Sequence, residues 1–257
     1  MKILGVIPAR YKSVRFPGKV LVKLKDRPIL QWVYENAKKA CLDKVIIATD
    51  DRKIFETAYR FGAEVLMTSS RHRSGTERVA EVARRIKAEV IVNIQGDEPF
   101  LKARTINFLI KNFFKDKKAE IGTLATYIRK KEDLDNPNVV KVVFDRNGYA
   151  LYFSRFAIPY LRKNNTGGKK EVILNNSELL RQYYFKHLGI YVYRRSALLR
   201  FVKLPLGKLE RMECLEQLRA LENGMCIKVM VTSHDSLGID VPEDLKKAEA
   251  WLTWLRK

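Results

Sequence analysis

The chain has 257 residues, a length that suits one large α/β domain or two small ones. Hydrophobic residues make up 46% of it, so a sizeable core can form, which argues against global disorder. No apolar run approaches the roughly 20 residues of a membrane helix. The residues before the first predicted strand are too few for a signal peptide, and we therefore expect a cytoplasmic protein without a membrane span.

The charge balance is strongly basic, because 50 Lys and Arg residues against 29 Asp and Glu residues leave a formal net charge of +21. Such a surplus attracts anions at long range, so nucleic acids and small acidic substrates are both candidate ligands. The basic residues are spread along the chain, and no RNA- or DNA-binding motif accompanies them. We expect no nucleic-acid partner. A basic nucleic-acid-binding protein is the alternative from another class, and its affinity for DNA would fall with salt.

Cysteine and histidine spacing points away from a metal site built from these residues. Cys41, Cys214 and Cys226 are isolated, without the CxxC pairs of zinc sites or of a disulfide framework. We interpret them as reduced thiols in the core. The three histidines are far apart in the sequence and form no HExxH motif.

The first half of the sequence alternates between strand and helix patterns. Apolar runs predict buried strands at residues 3–7, 45–50, 64–67 and 90–95. Helices are predicted at residues 54–61, ending at Gly62, and behind the capping-box sequence Ser74-Gly75-Thr76-Glu77. This order predicts a three-layer α/β fold with a mostly parallel sheet.

The pattern becomes richer in strands after residue 120. Strands are predicted at residues 122–128, 139–144 and 149–153, with Asn147-Gly148 as a hairpin turn, and residues 164–170 form a polar loop. Farther on, the patterns predict a strand at 191–193, one helix at 209–223, a strand at 227–232 and a helix from Pro242. We predict a single domain over residues 1–257, with a β-rich insertion at about 122–205 in the α/β core.

A basic loop follows the first predicted strand and carries Arg10, Lys12, Arg15 and Lys19. Open α/β sheets bind ligands beyond the carboxyl ends of their strands, where Arg and Lys can hold phosphate oxygens. A solvated basic loop is the alternative interpretation. Neither a GxxxxGK[ST] nor a GxGxxG motif is present, which argues against P-loop NTPases and dinucleotide enzymes.

Two aspartates are candidate ligands of a metal ion. Asp97 follows the predicted strand at 90–95, directly after Gly96, and Asp240 precedes the last predicted helix. Carboxylates at such positions can hold Mg²⁺ against a triphosphate. Each has an alternative role, because Asp97 could bond its own turn and Asp240 could stabilise the N-terminus of the helix.

Eight sequence segments, in order along nearly the whole chain, resemble those of the 3-deoxy-D-manno-octulosonate (Kdo) cytidylyltransferase family. They are IPARY-S-R-PGK at 7–19, SGTER at 74–78, VN-QGDEP at 92–99, NPN-VKVV at 136–143, GYALYFSR--IP at 148–159, HLGIY-YR at 187–194, LE--E-LEQLR at 209–219 and GID-PEDL at 238–245. The resemblance implies a fold of the nucleotide-diphospho-sugar transferase type. It also implies Mg²⁺-assisted transfer of CMP from CTP to Kdo, with diphosphate released, for lipopolysaccharide synthesis. Cytidylyltransferases for another 2-keto sugar acid, such as a sialic acid, are the alternative.

The resemblance also implies roles for individual residues. The catalytic residues would be Arg10, Lys19, Asp97 and Asp240, of which Asp97 and Asp240 would bind Mg²⁺. The nucleotide would be bound by Ala9, Arg10, Ser13, Arg15, Lys19, Ser74, Gly75 and Arg78. The sugar acid would be bound by Gln95, Arg155, Tyr184, His187, Tyr191, Glu210 and Gln217. For His187 the alternative is a histidine packed in the core.

A homodimer is expected through the β-rich insertion, which would serve as a dimerisation insertion. Its stretch from 122 to 153 is followed by Phe156 and contains Tyr149, Tyr152 and Phe153. Large aromatic side chains outside the main core need a surface to cover them, and a two-fold partner is the commonest solution. The family resemblance points the same way. The alternative is that these rings fill the space between the insertion and the core.

Overall fold

The structure is a computed structural model of the chain that describes residues 2–13, 15–162, 176–236 and 238–254. The polar loop predicted at 164–170 lies outside these ranges. Within the part of the chain described, every helix is too short or too polar to cross a membrane.

The described strands, in chain order, are β1 (Ile3–Ala9), β2 (Lys23–Leu24), β3 (Arg27–Pro28), β4 (Lys44–Thr49), β5 (Val65–Met67), β6 (Val90–Asn93), β7 (Ile121–Tyr127), β8 (Lys141–Phe144), β9 (Ala150–Ser154), β10 (Phe185–Arg194) and β11 (Ile227–Val231). The described α-helices are α1 (Ile29–Lys38), α2 (Arg52–Arg60), α3 (Gly75–Arg85), α4 (Ala103–Lys115), α5 (Lys131–Asp135), α6 (Ser177–Tyr183), α7 (Arg195–Phe201), α8 (Lys208–Glu213), α9 (Gln217–Glu222) and α10 (Pro242–Trp254). A short 3₁₀ helix covers Lys19–Leu21.

Two compact units make up the chain. The first comprises Met1–Lys111, Ile190–Val202 and Ser236–Lys257, and the second comprises Asn112–Gly189 and Lys203–Asp235. The second unit therefore extends beyond the predicted insertion at 122–205, while the end of β10 and helix α7 belong to the first unit.

A parallel sheet forms the centre of the first unit. Strand β1 pairs in parallel with β4 and β6, β4 pairs in parallel with β5, and the end of β10 runs antiparallel to β6. Helices α1 and α3 pack against β1 and β4. Side chains on both faces of β1 and β4 are therefore largely buried, which explains their continuous apolar runs. The predicted mostly parallel sheet with helices on both sides is confirmed.

The C-terminal helix α10 is fastened to the first unit by an apolar cluster. Its Ala248 and Leu252 are buried with Leu24 and Phe100. The rings of Phe100 and Trp251 meet edge to face, with centroids 4.6 Å apart. This packing brings the segment before α10 back to the first unit, although that segment lies far away in the sequence.

Strand pairs and short helices build the second unit. Strand β11 is parallel to β7, and β8 and β9 form an antiparallel hairpin. The turn of this hairpin closes with a hydrogen bond of 2.9 Å from the Gly148 amide to the Asp145 carbonyl, and Gly148 has a φ of +78°. The predicted hairpin turn is therefore confirmed. Glycine is needed there because other residues rarely adopt such a backbone conformation.

The single helix predicted at 209–223 is wrong, because the structure has two short helices, α8 and α9. The break falls at Cys214, whose φ of +52° is left-handed and cannot continue a helix. The Arg155 guanidinium donates hydrogen bonds to the carbonyls of Glu213 (2.7 Å) and Cys214 (3.3 Å) at the break. The carbonyls at the end of α8 thus receive side-chain donors, a contact that the periodicity of the sequence does not encode.

The interpretation of the cysteines as core thiols is also wrong, because Cys41, Cys214 and Cys226 are all exposed. Each of them lies in a connection next to an element: Cys41 follows α1, Cys214 follows α8 and Cys226 precedes β11. Connections between elements run over the surface, so an apolar side chain there is not drawn into the core.

Asp116 in the second unit leads us to predict a pH dependence of stability. Burial raises the pKa of its carboxyl, but hydrogen bonds from the Tyr149 hydroxyl (2.9 and 2.8 Å) and the Lys228 ammonium outweigh this effect and lower the pKa to about 2. Because the folded-state pKa is depressed, this stabilisation is present above the unfolded value of 3.8 and is lost as the pH falls towards about 2. We expect the free energy of unfolding to fall across that window.

Urea unfolding between about pH 5 and about pH 2 measures this dependence. Asp116→Asn is expected to lower the free energy of unfolding at neutral pH by about 2 kcal/mol and to flatten the acid limb. Asp235→Asn is the matched control, because Asp235 also pairs with a lysine in the second unit but is 56% exposed. An acid limb that is equally steep in Asp116→Asn and in the original chain would contradict the assignment.

Candidate active site

A cavity of about 370 Å³ lies in the first unit, beyond the carboxyl ends of β1 and β6. It brings together the predicted phosphate-binding residues, the predicted metal ligands and one predicted sugar-binding residue. Its walls are Pro8, Arg10, Ser13, Arg15, Lys19, Val20, Gln95, Gly96, Asp97 and Asp240. The edge of the sheet that the sequence predicts as the ligand site therefore does contain a polar cavity.

The basic loop is folded back on itself by the Tyr11 carbonyl. This oxygen accepts hydrogen bonds from the amides of Ser13 (2.9 Å) and Gly18 (2.8 Å). Gly18 has a φ of +70°, a conformation that glycine adopts without strain. The 3₁₀ helix that follows begins at Lys19, so the loop returns this lysine to the cavity.

Gly96 permits the close approach of two chain segments at the base of the cavity. A Cβ atom at this position would lie 3.1 Å from the Pro8 carbonyl oxygen, closer than about nine in ten real Cβ contacts. The next residue, Asp97, accepts a hydrogen bond of 2.9 Å at its carbonyl from the Ile239 amide. This backbone bond places Asp240 beside Asp97.

Lys19 lies between the two aspartates. Its ammonium donates to Asp97 Oδ2 in a short ion pair and to Asp240 Oδ1 at 2.7 Å. Arg15 Nη2 lies 3.2 Å from Asp240 Oδ2. Burial lowers the pKa of Lys19, but the two carboxylates outweigh burial, so the pKa is raised and the side chain is charged. Both carboxylates are therefore within reach of a single cation.

The helix-stabilising role considered for Asp240 belongs instead to another aspartate. Asp244 Oδ2 accepts hydrogen bonds from the amides of Asp240 (3.1 Å) and Val241 (3.2 Å) at the start of α10. The carboxylate of Asp240 contacts Lys19 and Arg15. The Asp240 carboxylate is thus directed to the cavity that it lines.

This donor set fits a magnesium ion. Mg²⁺ prefers carboxylate oxygens and usually keeps water or phosphate oxygens as its other ligands. Asp97 and Asp240 already share one cation, the Lys19 ammonium. Among the described residues, no group of three or more His, Cys, Asp and Glu side chains could hold a metal ion. An ion between the two aspartates would therefore complete its coordination with substrate and water.

The start of helix α3 lies against the strand that leads into the cavity. Ser74 caps this helix, because its hydroxyl accepts a hydrogen bond of 3.2 Å from the Glu77 amide. Gly75 packs against Pro8, and a Cβ at position 75 would lie 3.3 Å from Pro8 Cγ. Gly75, predicted with Ser74 to contact the nucleotide, therefore lies next to a wall residue of the cavity.

Arg78 is buried and engaged by protein groups. Its Nη2 atom lies 3.0 Å from Asp50 Oδ1, and Nη1 donates to the Thr68 hydroxyl and to the Ser69 carbonyl, the latter at 3.4 Å. These bonds connect α3 to the segments that follow β4 and β5. Ala9, another predicted nucleotide contact, is buried at the end of β1.

His187 is partly buried in the second unit and is neutral. Burial lowers its pKa to about 3. Its Nε2 atom lies 2.9 Å from the Thr123 hydroxyl, which donates to the Leu188 carbonyl at 3.2 Å. Since the hydroxyl proton is used there, we assign the imidazole proton to Nε2. The ring also meets Phe153 edge to face at 5.1 Å.

The other predicted sugar-binding residues have different surroundings. Both oxygens of the buried Glu210 accept hydrogen bonds from Arg219, at 2.7 and 2.6 Å. Buried surroundings are also found at Gln217, Tyr184 and Tyr191. Arg155 lines a cavity of about 470 Å³ in the second unit, while Gln95 lines the cavity of the first.

Three residues that surround the predicted site residues Arg78 and Arg155 were not predicted from the sequence. Asp50 binds Arg78, Glu213 binds Ser154 and Arg155, and Lys141 is completely buried in β8. A signal exists only for Lys141, which interrupts the apolar run Val139-Val140-Lys141-Val142-Val143. The partners of Asp50 and Glu213 are remote in the sequence.

The matching family and the fold together define a class of enzyme. A family model described as cytidylyltransferase matches residues 4–228. The structure of HddC from Yersinia pseudotuberculosis shares the fold, with a TM-score of 0.69 at 13% identity over 98% of this chain and 100% of that one. The sheet matches the nucleotide-diphospho-sugar transferase fold, as predicted. This chain belongs to the cytidylyltransferase family and is a nucleotidyltransferase.

Similar proteins within the family have a narrower name. A 3-deoxy-manno-octulosonate cytidylyltransferase from Thermodesulfovibrio yellowstonii is 49% identical over 98% of each chain. One from Trichlorobacter lovleyi is 47% identical over 97% of this chain and 98% of its own. A solved structure, CMP:2-keto-3-deoxy-manno-octonic acid synthetase complexed with CTP, has a TM-score of 0.88 and 35% identity over 99% of this chain and 100% of that one. The predicted resemblance to the Kdo cytidylyltransferases is confirmed.

Proposed function

We propose that the chain transfers CMP from CTP to the anomeric hydroxyl of Kdo, giving CMP-Kdo and diphosphate. The observation that carries this proposal is the cavity beyond β1 and β6, which Arg10, Arg15 and Lys19 line together with the Asp97–Asp240 pair. The names of the relatives supply the sugar acid. In the cytoplasm, the product would serve lipopolysaccharide synthesis as activated Kdo.

The reaction joins two anions, CTP and Kdo, which repel each other. The cationic side chains of the cavity can offset this repulsion. The anomeric hydroxyl oxygen of Kdo attacks the α-phosphorus of CTP and loses its proton to solvent, while the bond from the α-phosphorus to the oxygen that bridges to the β-phosphate breaks. Diphosphate leaves with the added charge. Arg10, Arg15 and Lys19 would hold the triphosphate and offset the repulsion between the reactants. Ser13, Ser74 and Gly75 would orient the nucleotide, and alignment of the reactants itself contributes to the rate.

Asp97 and Asp240 would hold Mg²⁺. The ion would neutralise phosphate charge as a Lewis acid when bound. The Lys19 ammonium would then leave the two carboxylates and bind a phosphate oxygen of CTP, and Arg15 would remain near Asp240. The observed sharing of one cation by the two carboxylates supports this assignment.

The sugar acid would be recognised by residues with distinct chemistry. The guanidinium of Arg155 suits a carboxylate, and the amide of Gln95 suits hydroxyl groups. A neutral His187 would bond a sugar hydroxyl instead of forming an ion pair. The family resemblance also assigns Glu210, Gln217, Tyr184 and Tyr191, all of them buried, to the sugar acid.

Diphosphate release from CTP in the presence of a panel of sugar acids tests the proposal. We expect turnover with Kdo and Mg²⁺, and none above background with N-acetylneuraminate. ATP and UTP in place of CTP serve as matched controls for the base. Turnover with N-acetylneuraminate instead of Kdo would mean that the substrate is a sialic acid. No turnover with any sugar acid would overturn the proposal.

We also propose a homodimer formed through the second unit. Of the aromatic residues that the sequence offered for this role, Phe153 is fully buried and Tyr149 bonds Asp116, so both rings belong to their own unit. Phe156 and Met212 are each 76% exposed, and they line the same cavity of about 470 Å³. Exposed apolar side chains grouped in this way favour a protein partner.

Light scattering is expected to give twice the 29.9 kDa mass of one chain at micromolar concentration. The double variant Phe156→Asp, Met212→Lys is expected to halve that mass. Tyr59→Asp is the matched control, because Tyr59 is 71% exposed on α2 of the first unit. A monomeric mass for the unaltered chain would refute the dimer.

A further inference from the structure

Lys141 is a charged side chain buried where none of the proposed chemistry uses it. It has no exposed surface, and it lies in β8 among valines. A lysine ammonium loses its hydration on burial, which lowers the pKa of Lys141 and disfavours the fold unless protein groups compensate. A charge kept at such a position calls for a role that an apolar residue could not fill.

The ammonium of Lys141 joins two segments that are separate in the sequence. It donates one hydrogen bond to the Asn136 carbonyl at 3.0 Å and another to the Arg155 carbonyl at 2.6 Å. The Arg155 guanidinium donates in return to the Pro137 carbonyl at 3.0 Å. The segment after α5 and the end of β9 are therefore held together at Arg155.

Glu213 holds the same arginine from a third segment. Its carboxylate accepts hydrogen bonds from the Ser154 hydroxyl (2.6 Å) and the Arg155 amide (2.9 Å). The Arg155 guanidinium donates to the carbonyls of Glu213 and Cys214. The backbone carbonyl, the backbone amide and the guanidinium of Arg155 are thus all fixed. Three of the five N–H groups of its guanidinium donate hydrogen bonds to protein groups.

The charges around Arg155 balance one another. Lys141 interacts with the carboxylates of Asp135 and Glu213, which favour its charge, and with Arg155, which disfavours it. Asp135, Arg155 and Glu213 all line the cavity of about 470 Å³. Removal of the ammonium would leave the cavity with two carboxylates and one guanidinium. An incoming organic carboxylate would then be repelled at the arginine that should bind it.

We propose that Lys141 is a positioning residue for the sugar acid, which acts by fixing the backbone and the guanidinium of Arg155. The inference rests on the proposed function, because it takes Arg155 as a contact of the sugar carboxylate. Lys141 does not touch the substrate itself. Its loss affects the sugar acid and leaves CTP binding unchanged, since the proposed CTP site is the cavity of the first unit.

A double-mutant cycle tests whether Lys141 acts through Arg155. Lys141→Met is expected to raise KM for Kdo about tenfold, with KM for CTP and the calorimetric Kd for CTP within about twofold of the original values. Arg155→Ala is expected to raise KM for Kdo at least as much. The double variant is expected to match Arg155→Ala, because the lysine has nothing left to position.

Lys228→Met is the matched control. Lys228 also lies on a strand of the second unit, donates to the Asn147 carbonyl at 2.5 Å and pairs with Asp116 at 3.0 Å. We expect its loss to lower the melting temperature without a selective change in KM for Kdo. If Lys141→Met does not fold, Lys141→Gln, which removes the same charge but keeps an amide NH2 group as a hydrogen-bond donor, is expected to show the same selective defect.

The outcomes separate this inference from the proposed function. If the original chain does not turn over Kdo, the proposed function fails, and this inference fails with it. If the original chain uses Kdo but the folded variant keeps its KM for Kdo, only the role of Lys141 is overturned. Multiplicative effects in the double variant, or equal losses for Kdo and CTP, would make Lys141 a structural residue alone.

Discussion

Replacement of Asp97 by Asn is expected to lower kcat at least a hundredfold while the protein stays folded. The change removes one of the two carboxylates that share the Lys19 cation. Loss of a group that stabilises developing charge costs about 3 kcal/mol or more in the transition state. Diphosphate release at saturating CTP and Kdo, measured over a range of Mg²⁺ concentrations, gives the effect directly.

Asp26→Asn provides the matched control for this substitution. Asp26 is 65% exposed, and its ion pair with Arg27 lies at the surface of the first unit. Circular dichroism and thermal melting should show both variants folded, and only Asp97→Asn should lose turnover. More than half of the original activity in Asp97→Asn at limiting Mg²⁺ would rule out a role for this carboxylate in metal binding.

Lys19→Met is expected to strengthen the binding of a divalent metal ion and to weaken the binding of CTP. The ammonium now contacts both carboxylates, so a divalent ion must compete with it in the free protein. Without the lysine, Mn²⁺ used as a probe should bind the free protein about tenfold more tightly, since a like charge is gone. KM for CTP should rise about tenfold or more, because a phosphate-binding cation is also gone.

Electron paramagnetic resonance of free Mn²⁺ measures the first effect without CTP or turnover, and initial rates measure the second. Lys38→Met is the matched control, because Lys38 is an exposed lysine on α1 of the same unit. It should change neither quantity. Weaker Mn²⁺ binding in Lys19→Met would mean that the ammonium organises the carboxylates instead of competing for them.

Local signals were sufficient for most of the described strands and for helices α2, α3 and α10. Strands β1, β4 and β6 are buried on both faces, so each has an apolar run that stands out in the sequence. The start of α3 is marked by its Ser74 cap, and the hairpin between β8 and β9 is marked by Asn147-Gly148. These features depend on residues a few positions apart, which is the range at which sequence patterns are informative.

Local signals failed where a remote side chain decides the backbone. The sequence at 209–223 has the periodicity of one helix, but Arg155 binds the carbonyls at its middle and the chain breaks at Cys214. The same limit applies to the exposed cysteines. A residue type predicts burial only on average, and its position at the end of an element decides the individual case.

By itself, the sequence determined the class of fold, the edge of the sheet at which the polar cavity lies and the residue types gathered there. The reason is that open α/β sheets generally bind ligands beyond the carboxyl ends of their parallel strands, and the basic loop follows such a strand directly in the sequence. Only the tertiary structure decided which groups meet. The Ile239–Asp97 backbone bond and the packing of α10 bring Asp240 to Lys19, and Lys141 and Glu213 converge on Arg155. These partners lie far apart along the chain, and their contacts depend on packing in three dimensions, which no local pattern encodes.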